Sequence, residues 1–351
     1  MINRLIEHAS KLGCSDIHIT AGEPPIVRVR GNLMRMPECH PYTAEEIRCI
    51  ASDMLRVSVA DPDPDQDALF GFVSPTGVRH RASLYHQGGE CCISIRLLLP
   101  NPSIEALELP EILRGVANLK SGLVLVCGGA GDGRSTTIAC ILSHLASVRR
   151  SHIITLENPV EYMLDNQKCV VTQRELGLDF ESYPQGIADA AKQDSNILMV
   201  NELDDPATLA AVLDATDTGK LVIASVRALS TEKALLALIS KFPPERREFM
   251  LFQLAASLKA VFTQVLIPST GNDSMVSAFE IMLATDETRQ LISEGRIREL
   301  MSIIENGADR GMTTMTASLA NLVQKGRISP EQAIYHSICK SDLSALLAAQ
   351  R

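Results

Sequence analysis

Hydrophobic and polar positions follow two periodicities in the first hundred residues. Apolar side chains recur three and four positions apart over residues 2–12 and again over 43–55, which predicts two helices. Polar and apolar positions alternate in further stretches, as in half-buried β-strands: 15–20, 26–33, 68–73, 78–85 and 91–98. This mixture predicts a small α+β domain over residues 1–99, with a turn at Gly31 and Asn32.

The pattern changes after a proline-rich connection. Pro100 and Pro102 stiffen the chain, which predicts a linker over 100–109. From residue 110 onward, short apolar runs alternate with helical stretches, and these runs are 123–127, 153–156, 197–200 and 221–226. Continuously apolar strands are typical of a parallel sheet covered on both faces, so residues 110–272 are predicted to form an α/β core. Beyond about residue 275 the spacing is helical, which predicts a helical region over 273–351.

Composition narrows the class of protein. A hydrophobic fraction of 46% is enough for packed cores and argues against a disordered chain. The 33 Lys+Arg and 42 Asp+Glu residues give a net charge of −9, which disfavours broad binding to nucleic acid or anionic membranes. No apolar run approaches the ~18 residues of a transmembrane helix, and the first residues lack a signal-peptide pattern. Reduced thiols are expected for the nine scattered cysteines, so the predicted compartment is cytoplasmic.

The most specific motif follows the first of the continuous apolar runs. It matches the phosphate-binding pattern G-x-x-x-x-G-K-[ST], with arginine in the place of lysine. Its candidate phosphate-binding residues are Gly128, Gly131, Gly133, Arg134, Ser135 and Thr136. Backbone amides in such a loop bind phosphate oxygens, and Ser135 is placed to hold Mg²⁺. The alternative for this stretch is a glycine-rich turn that only packs.

Two residues in this motif argue against ordinary catalysis. Arg134 carries a planar fork that does not replace the compact charge of lysine at a tight site. Asp132 places a carboxylate beside the phosphate position, where it would repel a triphosphate. Asp132 is expected to accept hydrogen bonds from the loop's own amides or to pair with Arg134. Its alternative is a harmless loop acid that faces solvent.

Motifs along nearly the whole chain resemble those of the secretion ATPase superfamily, and within it the type IV pilus retraction ATPases of the PilT type. Besides the phosphate loop, the resemblance rests on the stretches 15–19, 79–81, 155–162, 173–175, 201–205 and 218–222. The resemblance implies a RecA-like P-loop NTPase core behind a small PAS-like N-terminal domain. It also implies binding of ATP with Mg²⁺ and assembly into a hexamer.

The resemblance assigns roles to acids and arginines of this chain. Glu202 matches the general base that orients the attacking water, and Glu157 and Glu161 match an acidic box that places water or Mg²⁺. Arg79, Arg81 and Arg96 match arginines that reach the nucleotide, although alternating polar residues on an exposed β face are an equal alternative. Two histidines of the family pattern are replaced here by Lys220 and Arg227.

These departures lead to competing functional hypotheses. The main one is a motor protein of a type IV pilus or related secretion system, acting in retraction or its regulation, with weak or lost ATP hydrolysis. In a compensated site, Arg134, Lys220 and Arg227 would jointly supply the missing cationic charge. The alternatives are an inactive subunit that regulates an active pilus motor and a nucleic-acid translocase, which the acidic composition disfavours.

The same resemblance supplies partners and a location. The expected assembly is a homo-hexamer or a mixed ring with an active paralogue. The expected partner is a platform protein of the bacterial inner membrane, which would hold this cytoplasmic protein at the membrane periphery.

Overall fold

The computed structural model describes residues 2–29, 32–36, 38–58, 63–74, 77–97, 103–271 and 274–349. The chain forms two compact units. The first contains residues 1–101 together with the short segments 158–163 and 175–179, and the second contains the remainder. The predicted turn at Gly31 and the predicted stiff connection over 100–102 lie outside the described residues.

The first unit is a sheet with helices on its apolar face. Its elements are α1 (Ile2–Lys11), β1 (Cys14–Ile19), β2 (Ile26–Val29), β3 (Asn32–Arg35), α2 (Ala44–Ser58), β4 (Ala68–Val73), β5 (Arg79–Gln87) and β6 (Glu90–Arg96). The described strands pair antiparallel in the order β3-β2-β1-β6-β5-β4. Ile17 and Ile93 are fully buried in one core with Leu5 and Ile47 of the two helices. The predicted helices and strands of this part of the chain are therefore confirmed.

The second unit is built around a larger sheet. Its first elements are a 3₁₀ helix (Glu111–Asn118), β7 (Gly122–Gly128), α3 (Arg134–Val148), β8 (His152–Glu157), β9 (Val170–Glu175), α4 (Tyr183–Lys192), β10 (Ile197–Val200), α5 (Pro206–Asp217) and β11 (Leu221–Arg227). They are followed by α6 (Thr231–Ser240), α7 (Pro244–Ser257), β12 (Leu258–Pro268) and β13 (Met275–Leu283). The remaining α-helices are α8 (Asp286–Ser293), α9 (Leu300–Asn306), α10 (Met315–Gln324), α11 (Pro330–His336) and α12 (Lys340–Ala349).

The strands of this sheet lie in the order β13-β12-β7-β11-β10-β8-β9. Five strand pairs of this sheet have a defined register in the described residues. Four are parallel: β12–β7, β7–β11, β11–β10 and β10–β8. The fifth, β12–β13, is antiparallel. Every residue of β7 and β10 is buried, as their continuous apolar sequence predicts. The α/β core is thus confirmed, and its central strands bring their carboxyl ends to one edge.

Three boundaries differ from the sequence-based expectation. β13 is a strand paired along its length with β12, so the predicted helical region does not begin at 273 but at α8. Ile104 and Leu109 are buried in the core of the second unit, so the second half of the predicted 100–109 linker is part of a packed domain. The segments 158–163 and 175–179, expected within the α/β core, belong to the first unit. Tertiary packing decides all three, because short apolar stretches fit several local structures.

Within the described ranges, no helix combines the length and the apolar character needed to cross a bilayer.

Candidate functional site

The candidate site lies where parallel strands of the second unit end. Leu156 at the end of β8 is level with Val200 at the end of β10, and Arg227 at the end of β11 is level with Gly128 at the end of β7. The carboxyl edge of such a sheet is where α/β proteins bind ligands. The loops that leave these strands therefore carry the candidate chemistry.

The phosphate loop connects β7 to α3 in the predicted strand–loop–helix arrangement. Gly133 precedes the helix with φ 81°, and no side chain caps the helix at this position. A Cβ on Gly133 would lie 2.9 Å from the side-chain nitrogen of Gln264, which would have to move, and the positive φ itself favours glycine. Uncapped amides at a helix N-terminus attract anions, so the loop retains the geometry of a phosphate site.

Asp132 does not lie free in this loop. Its carboxylate accepts hydrogen bonds from the Gly129 amide at 2.6 Å and from the Leu266 amide at 3.3 Å. The side chain of Gln264 donates to the Asp132 carbonyl. The prediction that Asp132 accepts a hydrogen bond from a loop amide is therefore confirmed. Its other carboxylate oxygen accepts from β12, and neither of these hydrogen bonds involves Arg134. The aspartate anchors the loop to the neighbouring strand.

The Arg134 side chain contacts β11. Its guanidinium donates a hydrogen bond to the Ser225 hydroxyl at 3.0 Å. Burial lowers the pKa of Arg134 from its usual value, and the charge of Arg227 lowers it further, whereas Glu202 and Asp204 raise it. The hydrogen bond to Ser225 places Arg134 against β11, two residues before Arg227, and Arg227 contacts Glu202. Ser225 and Arg227 are two residues apart in β11, so their side chains point to the same face of the sheet. This alternation is a signal in the sequence that could have placed Arg134 near Arg227.

Glu202 follows β10 and is held in an ion pair. The Leu203 amide donates to the Ser225 carbonyl at 3.1 Å, which carries the chain after β10 over the end of β11. There the Arg227 guanidinium donates to the Glu202 carboxylate. The arginine side chain is 61% exposed and the glutamate side chain 30%, so water screens the pair in part. The ion pair therefore engages one oxygen of the carboxylate that matches the general base of the family pattern.

Glu157 ends β8 and is buried. Its carboxylate accepts from the Thr155 hydroxyl at 2.6 Å and from the Gln173 side-chain amide at 3.0 Å. Both donors hold Glu157 in one orientation at the carboxyl edge. The sequence places Gln173 in a stretch that resembles the family pattern, but it carries no local signal for this contact with Glu157.

Lys220 does not share this pocket. It precedes β11, at the end of the strand opposite Arg227, and donates to the Ser195 carbonyl at 2.7 Å. The expectation that Lys220, Arg134 and Arg227 act jointly was therefore wrong for Lys220. Lys220 and Arg227 lie at opposite ends of β11, so the full length of the strand separates them. Their matching positions in the family pattern do not show this separation.

The remaining predicted residues belong to the first unit. Glu161 pairs with Arg81 at 3.6 Å, and Arg79 pairs with Glu175 at 2.5 Å. Arg96 pairs with Asp16 at 3.0 Å, to which Arg28 also lies within 3.5 Å. Each of the three predicted arginine fingers thus has a carboxylate of its own unit. Their role toward a nucleotide, and that of Glu161, stay predictions.

The second-unit site combines the elements of phosphoryl chemistry. The loop offers backbone amides for phosphate, and Ser135 offers a hydroxyl in the first turn of α3. Glu202 offers a carboxylate after β10, which lies two strands away from β7 in the sheet. A nucleoside triphosphate fits this donor set, because the uncapped helix end supplies donors for its phosphate oxygens. The Ser135 hydroxyl is the group that would hold its Mg²⁺. Asp132, Arg134 and Arg227 depart from the family pattern in the charge or shape of their side chains. The strand, the glycine-containing loop and the helix N-terminus are still present.

Comparisons with known proteins agree with this geometry. Residues 1–344 match the family described as Type II/IV secretion system protein. The type IV pilus retraction ATPase PilT of Pseudomonas aeruginosa is 32% identical over 334 residues, which cover 95% of this chain and 96% of that protein. The type IV pilus ATPase PilU of the same organism is 30% identical, with 98% and 90% covered. The crystal structure of the pilus retraction motor PilT with bound ADP matches at 28% identity with a TM-score of 0.86, covering 98% of this chain and 99% of that one. The chain therefore belongs to the type II/IV secretion system protein family.

Proposed function

We propose that this chain is a nucleotide-binding subunit of a type IV pilus motor or a related secretion motor, and that it acts in retraction or its regulation with weak or absent ATP hydrolysis. The similarity to pilus retraction ATPases over nearly the whole chain supports the motor assignment. The ion pair between Arg227 and Glu202 carries the second part of the proposal. It occupies the carboxylate that is expected to orient the attacking water.

In this proposal, binding and hydrolysis depend on different groups. The amides of the phosphate loop bind the phosphates, Arg134 contributes positive charge, and Ser135 holds Mg²⁺. ATP supplies the phosphoryl group and its phosphoanhydride free energy. Glu202 must leave Arg227 to hold water, and Glu157 supports the same edge with an orientation set by Thr155 and Gln173. Loss of one preorganised group in such a site costs ~10²–10³ in rate.

The proposed assembly is a homo-hexamer or a mixed ring with an active paralogue. The ring is proposed to act on the cytoplasmic side of the bacterial inner membrane, where a platform protein of the pilus system holds it. Arg79, Arg81 and Arg96 are proposed to approach a nucleotide only after leaving their own carboxylates, which makes them conditional contributors.

A regulatory subunit without any turnover is the second candidate. It is favoured by two changes near the end of β11: arginine stands in the lysine position of the loop and contacts Ser225, and a second arginine lies beside Glu202. Such a subunit would bind nucleotide and modulate an active motor in the same ring. Mixing the protein with an active retraction ATPase distinguishes the two candidates. The regulatory subunit changes the rate of ATP hydrolysis by its partner but hydrolyses no ATP itself.

Binding of fluorescent ADP and steady-state ATP hydrolysis test the proposal directly. We expect measurable binding, slow turnover, and loss of that turnover in Glu202→Gln with unchanged ADP affinity. Arg134→Ala is expected to lower affinity roughly tenfold, because it removes a charge-assisted contact to phosphate. Rapid wild-type turnover that Glu202→Gln abolishes would contradict weakened hydrolysis. Absence of nucleotide binding would contradict both candidates.

A further inference from the structure

Asp132 carries a negative charge within a loop that is proposed to bind phosphate, yet both of its carboxylate oxygens accept hydrogen bonds from the protein backbone. One oxygen accepts from the Gly129 amide at 2.6 Å, and the other accepts from the Leu266 amide at 3.3 Å. Gly129 lies at the start of the loop, directly after β7, whereas Leu266 lies on β12. A single carboxylate therefore ties the loop to itself and to the neighbouring strand.

The strand β12 presents the Leu266 amide where the loop leaves the sheet. The registered pairing of β12 with β7 extends to Thr263, which lies opposite Cys127, and β7 ends one residue later at Gly128. Leu266 is three residues past this pairing. A backbone N–H in a partly buried position needs an acceptor, and Asp132 supplies one. The aspartate thus takes the place of the strand that has ended.

Gln264 holds the backbone of the same aspartate. This glutamine is only 1% exposed, and its side-chain nitrogen donates to the Asp132 carbonyl. Gln264 and Leu266 are two positions apart on β12, so this strand holds Asp132 at both its carbonyl and its carboxylate. The loop is therefore fixed at two of its own backbone groups, the Gly129 amide and the Asp132 carbonyl.

Two glycines leave the space that the aspartate occupies. A Cβ on Gly129 would lie 2.8 Å from an Asp132 carboxylate oxygen, and a Cβ on Gly128 would lie 3.1 Å from the Asp132 Cβ. Neither glycine has a positive φ, so the backbone conformation alone does not require glycine at these positions. The missing side chains instead give the carboxylate room to reach the Gly129 amide.

A glycine-rich loop has many conformations open to it, and its apparent affinity for a ligand falls with the fraction of molecules in which it has the binding shape. Hydrogen bonds to a charged carboxylate are strong enough to raise that fraction about tenfold. We infer that Asp132 is a positioning residue for nucleotide binding: its carboxylate strengthens phosphate binding by fixing the loop backbone, and this effect outweighs the repulsion between like charges. This role rests on the proposed nucleotide function, and its sign is opposite to the repulsion that the sequence predicts.

Titration with fluorescent ADP at two ionic strengths separates positioning from repulsion. Full-length wild type and Asp132→Ala are compared at about 0.1 M and about 1 M salt, where the Debye length is about 10 Å and about 3 Å. We expect the variant to bind ADP roughly tenfold more weakly, because both amides lose their acceptor. The ratio of the two affinities should be the same at both salt concentrations, since direct hydrogen bonds are not screened as separated charges are. Tighter binding by the variant, with a gain that shrinks in salt, would show repulsion and overturn the inference.

Asp132→Asn removes the charge but keeps an oxygen that accepts from one amide. We expect its ADP affinity to lie between those of wild type and Asp132→Ala, whereas equal changes in the two variants would show that only the charge matters and would sink the positioning role. Asp309→Ala is the matched control. It removes one negative charge from an exposed position of the same unit, in the 3₁₀ helix Ala308–Arg310, and should match wild type at both salt concentrations.

A double-mutant cycle with Gly129→Ala tests whether the contact with this glycine carries the effect. The added Cβ displaces the carboxylate in wild type, but it meets no carboxylate in Asp132→Ala. We expect Gly129→Ala to weaken ADP binding by itself and to add no further loss to Asp132→Ala, because the two changes break the same contact. Fully additive losses would contradict the inference. If Asp132→Ala did not fold, the losses expected for Asp132→Asn and Gly129→Ala would still decide it.

Hydrogen exchange and thermal unfolding of the nucleotide-free protein provide readouts other than binding. The segment 128–133 is expected to exchange faster in Asp132→Ala than in wild type, while the rest of the second unit is unchanged. A lower melting temperature with unchanged ADP affinity would leave Asp132 a structural role only and would also overturn the inference. Failure of wild type itself to bind ADP would overturn the proposed function, whereas failure of the inference alone leaves wild-type binding intact.

Discussion

The phosphate loop and the acids at the ends of β8 and β10 lie at the carboxyl edge of the same sheet but are constructed differently. The loop offers backbone amides, and its two unusual side chains contact other groups of the protein: Asp132 accepts from the Gly129 and Leu266 amides, and Arg134 donates to Ser225. The acids have only side chains to offer, and Glu202 is engaged by Arg227. A site made from backbone tolerates substitution better than one made from side-chain charge. Binding is therefore expected to survive changes that suppress hydrolysis.

The largest effect is expected from Gly133→Ala, which attacks the backbone of the loop. A left-handed conformation costs an L residue roughly 1–2 kcal/mol, and the added Cβ would lie 2.9 Å from Gln264. If the loop must adopt this conformation to bind, we expect ADP affinity to fall roughly five- to thirtyfold, as an energy of this size implies, and hydrolysis to fall with it. Fluorescent ADP titration measures the loss.

Gly115→Ala is the matched control for this change. Gly115 lies in the 3₁₀ helix without a positive φ, and outside its own helix no atom of the described residues lies within 4 Å of an added Cβ. We expect this variant to bind ADP like wild type. If Gly133→Ala also bound normally, the loop would not be the backbone-built site described above.

A smaller effect, in the opposite direction, is expected from Arg227→Ala. Removing the arginine frees the Glu202 carboxylate, and an exposed ion pair of this kind is worth about 0.2–1 kcal/mol. We expect ATP turnover to rise up to about fivefold, the rate equivalent of that energy, while ADP affinity changes little. Steady-state phosphate release measures the rate.

Arg48→Ala serves as the control, since Arg48 forms a comparably exposed ion pair with Asp65 in the first unit. It should leave turnover unchanged. A fall in turnover for Arg227→Ala would show instead that this arginine stabilises transition-state charge, and the contrast between loop and acids would weaken.

The smallest effect is expected from Asp205→Ala, which loosens the segment that carries Glu202. Asp205 caps α5 by accepting from the Thr208 amide at 2.9 Å. Loss of such a cap costs about 1 kcal/mol of unfolding free energy, measured by urea denaturation.

The pH dependence of this loss has a defined sign. Burial alone would raise the pKa of Asp205, but hydrogen bonds from Thr208 and Ala207, aided by Lys241, lower it overall. The cap therefore stabilises fully above the unfolded pKa near ~4 and loses its contribution as pH falls through the lower folded pKa. The difference between variant and wild type should be present at pH 7 and shrink in strong acid. A difference that persists below both pKa values would contradict the charged cap.

Most secondary structure could be predicted wherever one periodicity extended over a whole element. Helices α1 and α2 and the buried strands β7, β8, β10 and β11 were of this kind. β13 was missed because its apolar stretch fits a helix or a strand equally well, and pairing with β12 decides between them. The buried part of the predicted linker was missed for a similar reason, since a proline-rich start does not show where Ile104 and Leu109 will pack.

The sequence by itself determined the phosphate loop, the α/β core and the acids at the strand ends, because each depends on residues close together in the chain. Only the tertiary structure decided which charges meet. Arg227 lies beside Glu202 because the chain after β10 crosses the end of β11, while Lys220 is held at the other end of the same strand. Electrostatic partners are set by distance in space, and this is fixed only when the strands are ordered in the sheet.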